Sequence, residues 1–200
     1  MASGLTRKTS SEDLLTFLSD LSRDLSAEVE DKFGALSQEQ LHWSPDPSSW
    51  SIAQCLAHLN AFHRFYVPVF VERVKNTRFQ NPAPYFQSSP LGQSTFMKVK
   101  LGKLKNVKRK LKSPKDYNPL VNKNLKIKNV IEDFLKYQHK LIKVLEDAQT
   151  INIRKTKTSF SVRPIVKLRL GDAFQYIVYH AERHIEQANR VMSHPNFPVA

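Results

Sequence analysis

Apolar residues recur at steps of three and four in four long stretches of this chain, the spacing that places them on one face of an α-helix. The first stretch runs from about Ser10 to Leu36, with Leu14, Leu18, Leu21, Leu25 and Phe33 on its stripe. Thr9 and Glu12 offer a capping box, and Gly34 a stop. The second starts at Ser49 or Ser51 and carries Ile52, Cys55, Leu56, Leu59, Phe62, Tyr66, Val69 and Phe70, with Pro68 expected to kink it or end its regular part. The third spans about Asn124 to Ala148 through Ile127, Val130, Ile131, Phe134, Leu135, Leu141 and Leu145, and the fourth about Gly171 to Ser193. Four amphipathic helices of this length predict an all-α chain folded as a four-helix bundle, in one domain over residues 1–200.

The connections are unequal. Gln38 to Trp50 is a compact turn in which Trp43 and Trp50 can close the end of the core. Residues 77–123 form a far longer link with prolines at 82, 84, 90, 114 and 119, a length that reads as functional, partly disordered, or a crossover joining two parallel helices. Thr150 to Leu170 alternates polar and β-branched residues, as an extended turn or short strand pair would.

Formal net charge is +13, but it is concentrated. Between Met97 and Lys128 twelve cations stand against Asp116 alone, so a nearly neutral frame carries one basic segment. Leu and Val interleave with its lysines, a pattern that suits a solvated helix, a membrane-surface contact or an anion-binding lid. Lys105, Lys108, Arg109, Lys110 and Lys112 are its candidate anion-binding residues. Non-specific nucleic-acid contact is compatible with this charge but not favoured, because no zinc-finger spacing or recognition-helix unit accompanies it. The start of the chain lacks a secretory pattern and no apolar run reaches the length of a membrane span, so the expected location is the cytoplasm, where the single Cys55 stays reduced.

His180 and His184 lie four apart in the fourth helix, so both imidazoles project from one face and can reach one ion. The protease pattern H-E-x-x-H does not apply, because Ala181 follows the first His and Glu182 points about 200° away around the axis. His58 is the candidate third ligand: it lies nine residues after Ser49, and His184 nine before Ser193, which matches their depth if helices two and four run antiparallel. Gln54, Tyr176 and Gln187 fall one turn from these ligands and are candidates to orient them. His63 is rotated about 140° from His58 and should face elsewhere. Cys55 is a fourth-ligand or reactive-thiol candidate, weighed against an ordinary buried small hydrophobe.

Trp50-Ser51 opening the second helix, His58-Leu59, the run His180-x-x-Arg-His-Ile-x-Gln-Ala188 and the closing Asn196-Phe197-Pro198 resemble the DinB-like superfamily. That superfamily takes in YfiT-type metal-dependent hydrolases, thiol-dependent transferases and a mycothiol-dependent isomerase. The resemblance implies up-down-down-up topology, which needs a long crossover after helix two, and three His ligands that map onto His58, His180 and His184. It also implies a divalent cofactor (nickel, zinc, iron or manganese), a small-molecule substrate that could include a low-molecular-weight thiol, and a homodimer. The expected function is therefore a metal-dependent hydrolase or thiol transferase. No carboxylate base faces the site, so catalytic residues beyond the ligands stay unassigned. The alternative is a non-catalytic bundle whose Lys-rich segment contacts nucleic acid or another polyanion.

Overall fold

The computed structural model describes residues 8–106, 111–161 and 163–199. Its frame is four long helices: α1 (Ser11–Phe33), α3 (Ile52–Asn76), α5 (Val130–Asp147) and α6 (Leu170–Met192), with the short α2 (Gln38–His42) and α4 (Pro90–Met97) in the connections. Two antiparallel strand pairs complete it, β1 (Thr9–Ser10) with β2 (Tyr85–Phe86) and β3 (Lys157–Phe160) with β4 (Arg163–Arg169). The strand pair expected between helices three and four is thus present.

Both α1 and α3 pack against α5 and α6, so α1 and α3 lie across a diagonal. Helix directions follow from cross-helix contacts. Asn60 in α3 donates to the Val130 carbonyl at the start of α5, and His63 lies against Phe134 and Tyr137, so these two helices run parallel. His58 meets His184 while Phe70 meets Phe174, so α3 and α6 are antiparallel. Ser11 bonds the Pro84 carbonyl beside Phe86, whose ring sits under Gly171, and Asn189 bonds Glu28, so α1 runs with α6. The topology is up-down-down-up, as the resemblance implied.

Two apolar clusters fill the bundle. One collects Leu14, Leu18, Phe62, Tyr66, Phe70, Leu141 and Phe174, the other Leu25, Phe33, Leu56, Phe134 and Ile185. Burying each such side chain contributes about 1.5–3 kcal/mol. Cys55 lies wholly inside the second cluster, where burial pushes its thiol far above the usual range, so it packs as a small hydrophobe.

Several boundaries differ from the sequence reading. The cap of α1 is Ser10, whose Oγ accepts from the Asp13 amide, not Thr9. The helix expected from Asn124 begins at Val130, because Asn118 and Asn122 use their side-chain oxygens to hold amides two residues on, and Asn129 takes a left-handed φ of 53°. Short polar side chains that bond their own backbone compete with helix in this way. The helix through Pro68 continues to Asn76; Pro68 and Arg64, whose carbonyl loses its amide donor there, are both exposed to water.

Asp172 fastens α4 to α6. Its fully buried Oδ2 accepts from the Ser89 amide and Oγ at the cap of α4, and a side chain at Gly92 would collide with it. Asp172→Ala leaves those donors unmatched inside the protein. The expected destabilisation is about 1–3 kcal/mol by urea unfolding, and an unchanged midpoint would contradict this role.

Candidate metal centre

His58 reaches the site from the second turn of α3, whose start is fixed by the capping box Ser51–Gln54. His180 and His184 come from successive turns of α6. The Nε2 atoms of His58 and His184 lie 3.2 and 3.1 Å from Nε2 of His180, and the ligating atoms of all three lie within 4.8 Å of one another. Two nitrogens bound to one ion at about 2.0–2.1 Å would stand about 2.9–3.4 Å apart at right or tetrahedral angles. Both spacings to His180 fall in that interval.

Proton positions sharpen the fit. His58 Nδ1–H donates to the Tyr117 carbonyl at 2.6 Å, and His184 Nδ1–H donates to Gln187 Oε1 at 3.0 Å. Each of those rings in its neutral form therefore presents a bare lone pair at Nε2, aimed at His180. A proton on His180 Nε2 can satisfy one of them but not both. Extra protons do not resolve the conflict: burial first, and mutual repulsion at His180 and His184, holds these imidazoles well below their usual range, with His58 pushed down to about 4. Two fixed lone pairs directed at a third ring nitrogen, in a place where extra protons are disfavoured, form a donor set for a cation, and the triad could hold a metal ion.

Aromatic rings lock the ligands. Trp50 stacks on His184 at 5.5 Å and leans on His58 at 4.8 Å; Phe62 stands edge-on to His180 at 4.6 Å; Tyr176 stacks on His180 at 5.6 Å. All three ligands are buried. His180 Nδ1 has no hydrogen-bond partner among the described residues.

The other candidates separate cleanly. Gln187 orients His184 and Tyr176 packs on His180, as their helical steps predicted. Gln54 makes no hydrogen bond to the triad: its Oε1 accepts from the Ser51 amide in the capping box. Glu182 carries its charge toward Lys100 and Lys105, away from the ligands. Lys105 lies beside Glu28 and Glu182, while its carbonyl accepts from Arg190, so it too is not part of the triad. Lys112 is exposed, and Lys108, Arg109 and Lys110 lie outside the described residues. Sequence reasoning missed Tyr117, whose main-chain oxygen leaves no mark in residue identity, and Trp50, where an aromatic beside a helix cap was read as a core lid.

A family model described as the DinB superfamily matches residues 20–188, which take in all three histidines, the whole of α3 and α6 as far as Ala188. The chain belongs to the DinB superfamily. Among solved structures, this DinB protein is similar to YfiT from Bacillus subtilis, described as a probable metal-dependent hydrolase with an unusual four-helix bundle topology. The match has a TM-score of 0.56 at 14% identity and covers 94% of this chain and 90% of that one, which establishes the shared fold. No curated protein matches this chain.

Proposed function

We propose that this DinB-superfamily protein is a metal-dependent enzyme, a hydrolase or thiol transferase, in which His58, His180 and His184 hold a divalent ion of nickel, zinc, iron or manganese. The observation that carries this reading is the pair of fixed tautomers on His58 and His184, which leaves three buried Nε2 atoms converging with too few protons to share. When bound, such an ion lowers the pKa of a water or thiol on it and supplies a nucleophile near neutral pH. YfiT, with the same fold, is described as a probable metal-dependent hydrolase, which supports the first of the two reactions.

The chain's own groups prepare that chemistry. The Tyr117 carbonyl and Gln187 hold the two Nδ1 protons and so fix which nitrogen faces inward. Trp50, Phe62 and Tyr176 hold the ring planes and keep bulk water off them. Tyr117 belongs to the long crossover, so the Lys-rich link touches the ligand cluster as well as spanning the bundle.

The test is metal content of untagged protein by elemental mass spectrometry, in wild type and His58→Ala, followed by hydrolase and thiol-transfer substrate panels. Near-stoichiometric metal in wild type and its loss in the variant are expected, with turnover that follows metal content. Unchanged stoichiometry in His58→Ala would falsify the three-ligand site.

A further inference from the structure

The positive charge of this protein sits in two links. Residues 97–128 hold twelve cations and one acid, residues 149–171 hold six cations and no acid, and the rest of the chain has 13 cations against 17 acids. Both links pack on α6. The crossover does so through Lys100, which donates to Tyr179, and through the Lys105 carbonyl, which accepts from Arg190. The strand pair rests on the start of α6, and α4 lies against both β4 and α6.

These surfaces also expose large aliphatic side chains. Leu104 is 89% exposed at the tip of a tight turn closed by the Lys105 amide on the Gly102 carbonyl and the Gly102 amide on the Asn106 carbonyl. Ile165 is 96% exposed on β4. Alternation puts Lys167 on its face, and the register adds Ser159 and Lys157 from β3, while Thr158 and Leu168 turn inward. On α4 the outward stripe is Leu91, Ser94, Met97 and Lys98. Apolar tips ringed by cations, set on a rigid support, are matched to an anionic surface with an apolar layer beneath it.

We propose that the face built from α4, the turn at Leu104 and the outer side of β3–β4 docks on anionic lipid bilayers. Lys98, Lys103, Lys157 and Lys167 meet the headgroups, and Leu104 and Ile165 enter the interfacial layer. A nucleic acid would use the same cations, but it has no need of protruding aliphatic tips and would favour aromatic platforms, whereas Leu104 and Ile165 are purely aliphatic. None of these six side chains touches the histidine cluster, although the strand pair borders it through Phe160, which packs on Tyr176.

The probe is co-sedimentation with vesicles of phosphatidylcholine, with or without phosphatidylglycerol, using wild type and the double variant Leu104→Ser/Ile165→Ser. Both positions are exposed, and neither substitution alters charge. Wild type is expected to bind only the anionic vesicles, more weakly as salt rises. The double variant should lose at least about tenfold in affinity with its metal content and melting temperature unchanged. Absence of binding to anionic vesicles overturns the proposal. So does equal binding by the double variant, which would indicate adhesion by charge alone, and so does displacement from vesicles by duplex DNA with the variant binding that DNA as wild type does.

Discussion

Chelation of the proposed metal is expected to lower the melting temperature by about 8–16 °C. An ion that binds only the folded chain stabilises it by about 4.1 kcal/mol when free metal stands a thousandfold above Kd, and in a chain of this size each kcal/mol moves the midpoint by about 2–4 °C. The coupling to folding is direct, because His58 comes from α3 and His180 and His184 from α6, two antiparallel helices that only the folded state brings together. Removal also leaves two lone pairs at 3.1 and 3.2 Å from His180 Nε2, of which its proton can satisfy only one. Differential scanning calorimetry before and after dialysis against chelator measures the shift. His180→Ala should melt near the stripped wild type and ignore chelator. A wild type whose midpoint does not move, although elemental analysis shows that its metal has left, would show that the three ligands do not bridge the helices.

Phe62→Ala is expected to remove about 3–5 kcal/mol of stability, a large share of the roughly 5–15 kcal/mol that holds a domain together. The ring is 1% exposed and touches the ligands from beneath, with centroids 4.9 Å from His58 and 4.6 Å from His180. It also meets Tyr117 at 4.2 Å, so it joins the crossover to the core. Truncation opens a cavity bordered by α3, α6 and the crossover at Tyr117, with His58 and His180 in its wall. Urea unfolding reads the stability. A loss below about 1 kcal/mol would mean that the site relaxes freely, contrary to the packing described.

The frame and the histidine cluster were legible in the sequence for the same reason. Helical steps fix which residues share a face, so the four apolar stripes, the His180–His184 pair and the positions of Tyr176 and Gln187 could be read from spacing. Depth matching then brought His58 to the same level, given antiparallel helices. Spacing fails where a side chain has a closer claim. Gln54 stands one turn before His58, yet the amide of its own cap residue is nearer than the ligand, and local geometry decides. The start of α5 was misread because its asparagines bond their own backbone, a competition that apolar periodicity does not register. The short α2 did carry a signal, Ser37 followed by Gln40, which the structure shows as a reciprocal capping box.

The contact from the Tyr117 carbonyl to His58 links positions 59 apart in the chain. Its acceptor is a peptide oxygen that every amino acid carries, so no exchange of the residue at 117 deletes it. What does matter is chain length: one residue added or lost within the link would shift a different carbonyl into that place. Variation at 117 forfeits the ring's packing on Phe62 but spares this hydrogen bond, whereas insertions beside it do not, so the orientation of His58 is inherited through the path of the backbone and would escape any comparison that scores residue identity alone.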